Sequence, residues 1–272
     1  MEASGIDAAA QRTLRFVCGC RTDGIVPEAS CRDVETAAEP PSKRQRVGES
    51  SIVEVRLVEL IRDLDSANDD NDKHYGLFVW PSALLLSRFV AREASWLCRD
   101  KVVLELGCGT GLPSILAGLC GAGKVYLTDR ADAADIQRNA EANIKRNGLE
   151  TRAAFIPLAW GDMLISDELI SIFRGVQVIL AADCFYQSQD FEKVLATVAL
   201  IFRCSGGPAS CKFFFTYQLR SISRSIAPLL ARWGLTAKAI DKSELVSDSS
   251  YVDDSSARDF DSVYLYEVQR QH

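Results

Sequence analysis

The sequence has no long apolar run and no excess of positive charge. None of its apolar stretches reaches the roughly 18 residues that identify a membrane-spanning helix, so we expect no membrane partner. The 272 residues include 37 acidic and 31 basic side chains, which gives a net charge of −6. Because nucleic-acid-binding surfaces are usually basic, this balance argues against direct contact with nucleic acid and suits a cationic substrate.

Cysteine pairs with the spacing of metal ligands are also missing. Cys18 and Cys20 form a C-x-C pair, but no further His or Cys pair accompanies it at a metal-type spacing. The odd total of nine cysteines includes five in apolar runs, at Cys98, Cys108, Cys120, Cys184 and Cys211. We therefore expect reduced, buried thiols of an intracellular protein and no metal site. Residues 1–10 lack a basic segment followed by an apolar one, so we also expect no secretory signal.

The most informative stretch is an apolar, β-type run that opens into closely spaced glycines, V-V-L-E-L-G-C-G-T-G from Val102 to Gly111. A strand, a glycine turn and a helix form the plan of a nucleotide-type site at the carboxyl end of a parallel strand, where glycine lets the backbone approach a ligand. A dinucleotide fingerprint, G-x-G-x-x-G, would need its third glycine at Leu112. The pattern E-x-G-x-G-x-G is instead that of sites for S-adenosylmethionine (AdoMet), which we predict as the cofactor.

Strands and helices alternate after this point. The runs predict strands at 102–106, 125–128, 153–158, 176–182 and 211–217 with helices between them, the third of these helices at Leu164–Phe173, and two final strands at 235–240 and 263–268 without an intervening helix. Continuous apolar strands are typical of parallel strands that are covered on both faces. We therefore predict an α/β fold, a Rossmann-like seven-stranded AdoMet methyltransferase sheet with helices on both faces and an antiparallel last strand.

The first 48 residues differ from the rest in being small, polar and charged. We predict residues 1–48 as a disordered amino-terminal arm with one short strand at Thr13–Val17, and residues 49–272 as the AdoMet-dependent domain. The domain opens with a strand at Ile52–Leu60, and a helix follows from Pro81 to about Leu97. The run Lys43–Arg46 has the K-R-x-R form of a nuclear import signal, which predicts a protein of nucleus and cytoplasm; a solvated linker is the alternative.

Side chains that suit AdoMet follow the predicted strands. Asp129 ends the second strand of the sheet and can accept hydrogen bonds from both ribose hydroxyls, although a turn acid is the alternative. Trp160 can stack on adenine and Trp80 can face the sulfonium, with core packing as the alternative for both. The predicted cofactor-binding set is Trp80, Glu105, Gly107, Cys108, Gly109, Gly111, Asp129, Trp160 and Ala182.

The fourth strand of the sheet ends beside two polar side chains, Asp183 and Tyr186. Asp183 can orient an amine or a guanidinium, and Tyr186 can cover it with a ring face, so we predict both as catalytic. Since AdoMet carries an activated methyl group, the protein mainly has to align nucleophile, methyl carbon and sulfur. A helix-capping acid and a plain wall residue are the alternatives. A second polar cluster follows at Thr216–Arg220.

Six motifs in order carry a resemblance, at Tyr75–Ser82, Glu105–Pro113, Trp160–Gly161, Asp183–Tyr186, Gln189–Phe191 and Thr216–Arg220. Over about residues 50–270 the chain resembles methyltransferase family 16, the seven-β-strand AdoMet-dependent protein methyltransferases. Its D-x-x-Y or D-x-x-F hallmark is matched by Asp183 and Tyr186.

The resemblance implies a protein N-methyltransferase with a protein substrate, and the most similar group is described as acting on arginine of histones. We expect a monomer, with histone H3 as a candidate partner. The paired-glutamate loop of the large arginine methyltransferases is missing here, which keeps a lysine acceptor in a non-histone protein as an alternative. A catalytically silent scaffold with the AdoMet fold and a small-molecule methyltransferase are further alternatives.

Overall fold

The computed structural model describes residues 9–18, 51–60, 75–207, 209–218, 226–247 and 260–270. Within these residues the strands are β1 Ala9–Cys18, β2 Ser51–Leu60, β3 Val102–Leu106, β4 Lys124–Asp129, β5 Ala153–Pro157, β6 Val178–Ala182, β7 Lys212–Gln218, β8 Leu235–Ile240 and β9 Val263–Arg270. The helices there are α1 Pro81–Arg92, α2 Ala94–Leu97, α3 Leu112–Leu119, α4 Ala134–Arg146, α5 Asp167–Gly175, α6 Phe191–Ser205, α7 Ala227–Arg232 and α8 Ser243–Ser247.

Seven of these strands form one sheet, in the order β5-β4-β3-β6-β7-β9-β8. Neighbours from β5 to β7 pair in parallel, whereas β9 is antiparallel to both β7 and β8. The predicted fold class is therefore confirmed, including the antiparallel last strand. The chain runs outward from β3 to one side through β4 and β5, then returns to the other side at β6. This reversal leaves a crevice at the carboxyl ends of β3, β4 and β6, where ligands bind in open α/β sheets.

Each face of the sheet is covered by its own apolar layer, because successive side chains of a strand point to opposite faces. In β6, Val178 and Leu180 join the layer of α1, α3 and α4, while Ile179 and Ala181 join the layer of α5, α6 and α7. Both layers are made mainly of buried side chains, and the continuous apolar runs of the central strands follow from this two-sided burial.

The helices differ from the predictions in three places. The predicted helix from Pro81 to Leu97 is divided at Glu93 into α1 and α2. The helix expected from Leu164 begins at Asp167, because the Ser166 hydroxyl accepts a hydrogen bond from the Leu169 N–H at 3.2 Å and caps it. The prediction of no helix between the last two strands is wrong. Five residues form α8, whose first turn is fixed by the Asp241 carboxylate, which accepts from the Ser243 N–H at 2.9 Å.

An antiparallel pair of strands, β1 and β2, lies outside the main sheet and is called the amino-terminal ribbon below. Its register runs from Ala9 opposite Leu60 to Cys18 opposite Ser51. The predicted strands at Thr13–Val17 and Ile52–Leu60 are confirmed. The first strand is longer than predicted, so the prediction of disorder is wrong for residues 9–12 and 18. Leu14 and Phe16 alternate with exposed residues and join the core beside α1, as a half-buried strand requires.

Several predicted features lie outside the described residues. They are the remainder of the arm, with the basic run Lys43–Arg46, and the end of the polar cluster at Leu219 and Arg220. Of the helices that are described, none is long and apolar enough to cross a membrane. The same residues contain no group of three or more His, Cys, Asp and Glu side chains that could hold a metal ion.

Candidate functional site

A cleft of about 490 Å³ opens at the carboxyl ends of the parallel strands. Nine of the eleven predicted site residues line it: Trp80, Gly107, Cys108, Gly109, Asp129, Trp160, Ala182, Asp183 and Tyr186. The wall is completed by Tyr75, Gly76, Phe78, Ala83, Thr110, Arg130, Ile136, Cys184 and Gln218. The cleft is therefore lined by residues at or just after the ends of β4, β5, β6 and β7, and by the loop that follows β3.

The loop after β3, residues 107–111, is called the glycine loop below. Gly107 and Gly109 both have positive φ, at 60° and 52°. A Cβ on Gly109 would lie 2.8 Å from the Gly76 carbonyl oxygen, and one on Gly107 would lie 2.8 Å from Cζ2 of Trp160. Glycine is needed here both for the backbone conformation and because two walls of the cleft pack directly on the loop.

Asp129, at the end of β4, holds the glycine loop and faces the cleft. Its Oδ2 accepts a hydrogen bond from the Gly109 N–H at 2.9 Å, and its Oδ1 accepts from the Arg130 N–H at 2.8 Å. Burial raises the pKa of this carboxyl above its ordinary value, although the two N–H groups act in the opposite direction. Each carboxylate oxygen keeps lone-pair capacity for a ligand hydroxyl, since an ionised carboxyl has about four acceptor positions.

Glu105 and Gly111 do not line the cleft, although we predicted both as cofactor-binding. Glu105 is 1% exposed, and its Oε2 accepts from the Ser114 N–H at 3.0 Å in the first turn of α3. Burial raises the pKa of Glu105 to about 8. Gly111 is the N-cap residue of α3, with φ of 81°. Glu105 thus lies behind the glycine loop and Gly111 ends the loop, and both residues fix the start of the helix.

Aromatic side chains form the opposite wall, on residues 75–80, which we call the aromatic segment. Trp80 directly precedes α1, and its Nε1–H donates to the Tyr75 carbonyl at 2.8 Å. Its ring meets those of Tyr75 and Phe78 edge to face, with centroids 6.0 and 6.4 Å apart. These internal contacts make the segment a preformed apolar wall over the glycine loop.

Trp160 lies across the glycine loop from the aromatic segment. Its ring packs on Gly107 and against the apolar layer of α5 and α6. Its buried Nε1–H finds no hydrogen-bond partner within the described part of the chain. A buried donor of this kind is rare in proteins and suits an acceptor atom of a bound ligand. Together with the Asp129 carboxylate, it fits a ligand that carries both hydroxyl groups and an aromatic base, as AdoMet does.

Asp183 follows β6 at the other end of the cleft. It is 9% exposed, its φ is 56°, and its N–H donates to the Thr216 carbonyl at 3.0 Å. A non-glycine residue in the left-handed region is strained, and such strain is concentrated at functional sites. The next residue, Cys184, fixes the turn through its Sγ, which donates to the Leu106 carbonyl at 3.0 Å. Burial raises the pKa of Cys184 well above its ordinary value, so this thiol stays protonated.

Half of the wall was given no cofactor-binding or catalytic role from the sequence. Thr110 and Cys184 each directly follow a predicted position, so proximity in sequence was an available signal, and Gln218 belongs to the polar cluster predicted at Thr216–Arg220. Tyr75 and Phe78 belong to a motif that carried the family resemblance, but only Trp80 was given a role. Their place in the cleft depends on the aromatic segment folding back over the glycine loop, about 30 residues later in the chain, and no local pattern encodes that contact.

The sequence profile of the family Methyltransf_16, described as lysine methyltransferase, matches residues 62–224. The chain is 37% identical over 161 residues to the histone-arginine methyltransferase METTL23 of Xenopus laevis, an alignment covering 59% of this chain and 65% of that protein. For the METTL23 of Mus musculus the identity is 31% over 192 residues, covering 69% and 67%. The protein-lysine methyltransferase METTL21E of Mus musculus is 38% identical over 128 residues, covering 45% and 50%.

The aligned region spans about two thirds of the length of the two METTL23 relatives. The profile itself covers more than half of the chain, so the resemblance drawn from the six motifs is confirmed. The chain belongs to this family of methyltransferases, and AdoMet is its cofactor.

Proposed function

We propose that this chain transfers a methyl group from AdoMet to a side-chain nitrogen of arginine in a histone, with histone H3 as the candidate substrate. The observation that carries the proposal is that Asp183 and Tyr186 share one cleft with the glycine loop and Asp129. The choice of arginine is supported by the names of the METTL23 relatives. The net charge of −6 is compatible with a basic protein substrate.

The cofactor end of the cleft is formed by the ends of β3, β4 and β5. We assign the ribose hydroxyls to the Asp129 carboxylate and the adenine to the face of Trp160. The aromatic segment covers the remaining part, where the face of Trp80 suits a sulfonium cation. Glu105 acts through the glycine loop and α3, because its carboxyl group is bound to the Ser114 N–H behind the loop.

Bound AdoMet supplies an electrophilic methyl group, so the chain's own residues have to orient the acceptor and take up its proton. The Asp183 carboxylate binds the acceptor cation by a charge-assisted hydrogen bond and directs its nitrogen towards the cofactor end. As the new nitrogen–carbon bond forms and the carbon–sulfur bond breaks, the nitrogen loses one proton. Asp183 can accept it and pass it to water. The rings of Tyr186 and of the aromatic segment keep water away from the reacting atoms.

A lysine acceptor is the second candidate, and one observation favours it. Asp129 and Asp183 are the acidic side chains among the described residues of the wall, and Asp129 is at the cofactor end. This leaves Asp183 to bind the acceptor. An ammonium group has three N–H donors and a guanidinium has five, of which one carboxylate can bind two, so a single carboxylate leaves more donors of a guanidinium without a charged acceptor. The family description and the METTL21E relative support this candidate.

The experiment that tests the proposal incubates the full chain with labelled AdoMet and purified histone H3, and maps the methylated residue by mass spectrometry. Methylarginine on H3 is the expected result. Methyllysine, found on H3 or on another protein when a cell extract is used as substrate, would overturn the arginine proposal in favour of the lysine candidate. AdoMet binding in calorimetry without any methylated product would support the silent scaffold instead. Gel filtration of the same sample checks the expected monomer.

We also propose that the run Lys43–Arg46 directs part of the protein to the nucleus. This segment lies outside the described residues, so the proposal rests on the basic K-R-x-R sequence after a double proline. Residues 38–50 fused to a fluorescent carrier are expected to concentrate the carrier in nuclei. Changing Lys43 and Arg44 to Ala provides the control. An even distribution of the unaltered fusion would overturn the proposal.

A further inference from the structure

The glycine loop is held from its far side by a buried asparagine of α4. Nδ2 of Asn143 donates to the Thr110 carbonyl at 3.1 Å, and the Asn143 side chain is 0% exposed. Thr110 lines the cleft and lies between Gly109 and Gly111. Because glycine-rich backbone has the greatest conformational freedom, its geometry depends on ties of this kind. Asp129 provides such a tie from β4, and Asn143 provides one from α4.

The amino-terminal ribbon fixes the direction in which Asn143 points. The Val58 N–H donates to Oδ1 of Asn143 at 2.8 Å. Since an N–H group can only donate, Oδ1 must face Val58, which leaves Nδ2 for the carbonyls of Thr110 and Val58. The ribbon therefore sets the orientation of the amide that holds the cofactor loop.

One helical turn later, Asn147 makes the same pair of contacts with the ribbon. Its Oδ1 accepts from the Arg56 N–H at 2.9 Å, and its Nδ2 donates to the Arg56 carbonyl at 2.7 Å. Residues four apart on a helix are about 6 Å apart along its axis, close to the roughly 6.8 Å between alternate residues of a strand. The two amides thus complete the free edge of β2. Asn147, however, has no contact with the glycine loop among the described hydrogen bonds.

A second tie runs from the ribbon to the opposite wall of the cleft. Oε2 of Glu59 accepts from the Val79 N–H at 3.1 Å, inside the aromatic segment. Oε1 of Glu59 pairs with Nη1 of Arg12 at 3.0 Å, and both side chains are 14% exposed. The ion pair joins β1 to β2 and holds the carboxylate towards Val79. The ribbon consequently contacts both walls between which the cofactor end of the cleft lies.

We infer that the amino-terminal ribbon is a positioning element of the cofactor cleft, acting on the glycine loop through Asn143 and on the aromatic segment through Glu59. Asn143 and Glu59 are positioning residues, because neither lines the cleft. The inference rests on the cofactor part of the proposed function and is independent of the acceptor. It predicts that changes in the ribbon contacts alter AdoMet affinity at a distance.

The test is made on the full chain and compares Asn143→Ala with Asn147→Ala. Each variant loses two hydrogen bonds to the ribbon. Loss of one buried hydrogen bond to the loop is expected to weaken AdoMet binding about five- to tenfold in Asn143→Ala, as measured by calorimetry. In Asn147→Ala the affinity should stay close to that of the wild type, while both variants unfold at lower urea concentration. In Asn143→Ala the KM for AdoMet should rise by a larger factor than kcat falls. A general loss of folded protein would lower the apparent kcat and leave KM unchanged.

Glu59 has a matched control on the same strand. Glu54 forms an exposed ion pair with Arg15 at 2.9 Å, on the opposite face of β2 from Glu59. Glu59→Ala should raise the KM for AdoMet, Glu59→Gln should recover most of the loss because its amide oxygen still accepts from Val79, and Glu54→Ala should change it little.

Equal effects of the Asn143 and Asn147 variants, or unaltered affinity in Asn143→Ala and Glu59→Ala, would overturn the inference. Absence of AdoMet binding by the wild type would contradict the cofactor assignment instead, so the two failures are distinguishable.

A different observation concerns the cysteines where the ribbon meets α3. Cys18 ends β1 and Cys120 directly follows α3, and their Sγ atoms are 2.7 Å apart although both thiols are free. A hydrogen bond from the Cys120 thiol lowers the pKa of Cys18 and raises that of Cys120. The Cys18 thiolate is therefore the nucleophile of the pair, and neither side chain is fully buried.

We propose that Cys18 and Cys120 form a disulfide with an oxidant of the glutathione-disulfide class. The Cys18 thiolate attacks one sulfur of the oxidant and releases one glutathione thiolate. The Cys120 thiolate then attacks the Cys18 sulfur and releases the second, so two thiols are oxidised as one disulfide is reduced, and their protons pass to the released thiolates.

Peptide mapping of the full chain after treatment with oxidised glutathione and alkylation should find the Cys18–Cys120 link. Oxidation should raise the thermal midpoint of the wild type but not of Cys120→Ser. A different pairing, such as one through Cys20 or Cys98, or no link at all, would overturn this proposal.

Discussion

The two ends of the cleft are built in different ways. At the cofactor end, main-chain groups of the walls are fixed by buried side chains, as Asp129 fixes Gly109 and Asn143 fixes Thr110. At the acceptor end, the functional groups are side chains on a turn, with Asp183 in a strained conformation and Tyr186 only half-buried. The first end presents the backbone of a fixed loop together with the Asp129 carboxylate and the Trp160 ring, whereas the second presents the side chains of one turn.

This difference assigns separate tasks to the two ends. A backbone cradle suits a cofactor whose shape does not change, because each tie removes freedom from the loop before binding. Side chains on a short turn can be exchanged without disturbing such a cradle, so acceptor choice can vary while the cofactor site stays the same. Substitutions at the cofactor end should therefore change AdoMet affinity, and substitutions at the acceptor end should change turnover.

The largest effect is expected for Asp183→Asn, which tests the acceptor end directly. Asn keeps the shape and tolerates positive φ, but removes the charge that orients a cation. Methyl transfer should fall by about two to four orders of magnitude, the range of positioned acid–base groups, while AdoMet affinity is retained. Asp190→Asn is the matched control, because Asp190 precedes α6 and pairs with Lys193 away from the wall. An equal loss of cofactor binding and turnover would show that Asp183 is structural.

The free energy of unfolding should depend on pH through Glu105, which lies behind the cofactor end of the cleft. The pKa of Glu105 is raised from 4.5 to about 8 in the folded protein, mainly by burial. Between these values the unfolded chain has released the proton that the folded chain still binds, so the free energy of unfolding falls as pH rises from 4.5 to about 8 and then levels off. The loss amounts to a few kcal/mol.

Urea unfolding across this pH range measures the effect on stability, with Glu105→Gln as the comparison. The amide keeps an acceptor for Ser114 and does not titrate, so the variant should lose stability less steeply. Part of the slope should remain, since burial raises the pKa of Asp129 in the same direction. Identical pH profiles of variant and wild type would show that Glu105 does not bind a proton in the folded state.

Asp129→Ala tests the carboxylate of the cofactor end, which contacts the glycine loop and which we assign to the ligand. Its removal takes away the acceptor for ribose hydroxyls and the tie to Gly109, and we expect AdoMet binding to weaken by about 1.5–3 kcal/mol, the scale of hydrogen bonds to a charged group. Asp129→Asn keeps one acceptor and should lose less. Calorimetry with both variants checks this order, and unchanged affinity in Asp129→Ala would exclude Asp129 from the cofactor site.

Features of the cleft that depend on local strand pattern could be predicted from the sequence, whereas features that depend on contacts between distant segments could not. The parallel strands are continuous apolar runs, and Asp129 and Asp183 end two of them, so local pattern and topology placed both at the cleft. The motif around Glu105 does not reveal whether its carboxyl group faces a ligand or the helix behind the loop. In the structure this group is buried and accepts a hydrogen bond from Ser114 of α3. The ribbon could not be predicted as part of the site, because its free edge is completed by side-chain amides of α4, which no strand periodicity reports.

Tyr186→Phe should give the smallest effect and sharpens the account of the acceptor end. The hydroxyl is lost but the ring face remains in the wall of the cleft, and the family resemblance allows either aromatic residue at this position. We expect methyl transfer to fall by less than about tenfold, the value of one ordinary hydrogen bond, with AdoMet affinity unchanged. Tyr186→Ala removes the ring as well and should cost clearly more turnover. If Phe and Ala proved equally harmful, the hydroxyl would be the working group, and Tyr186 would act on the proton of the acceptor and not as a cover over it.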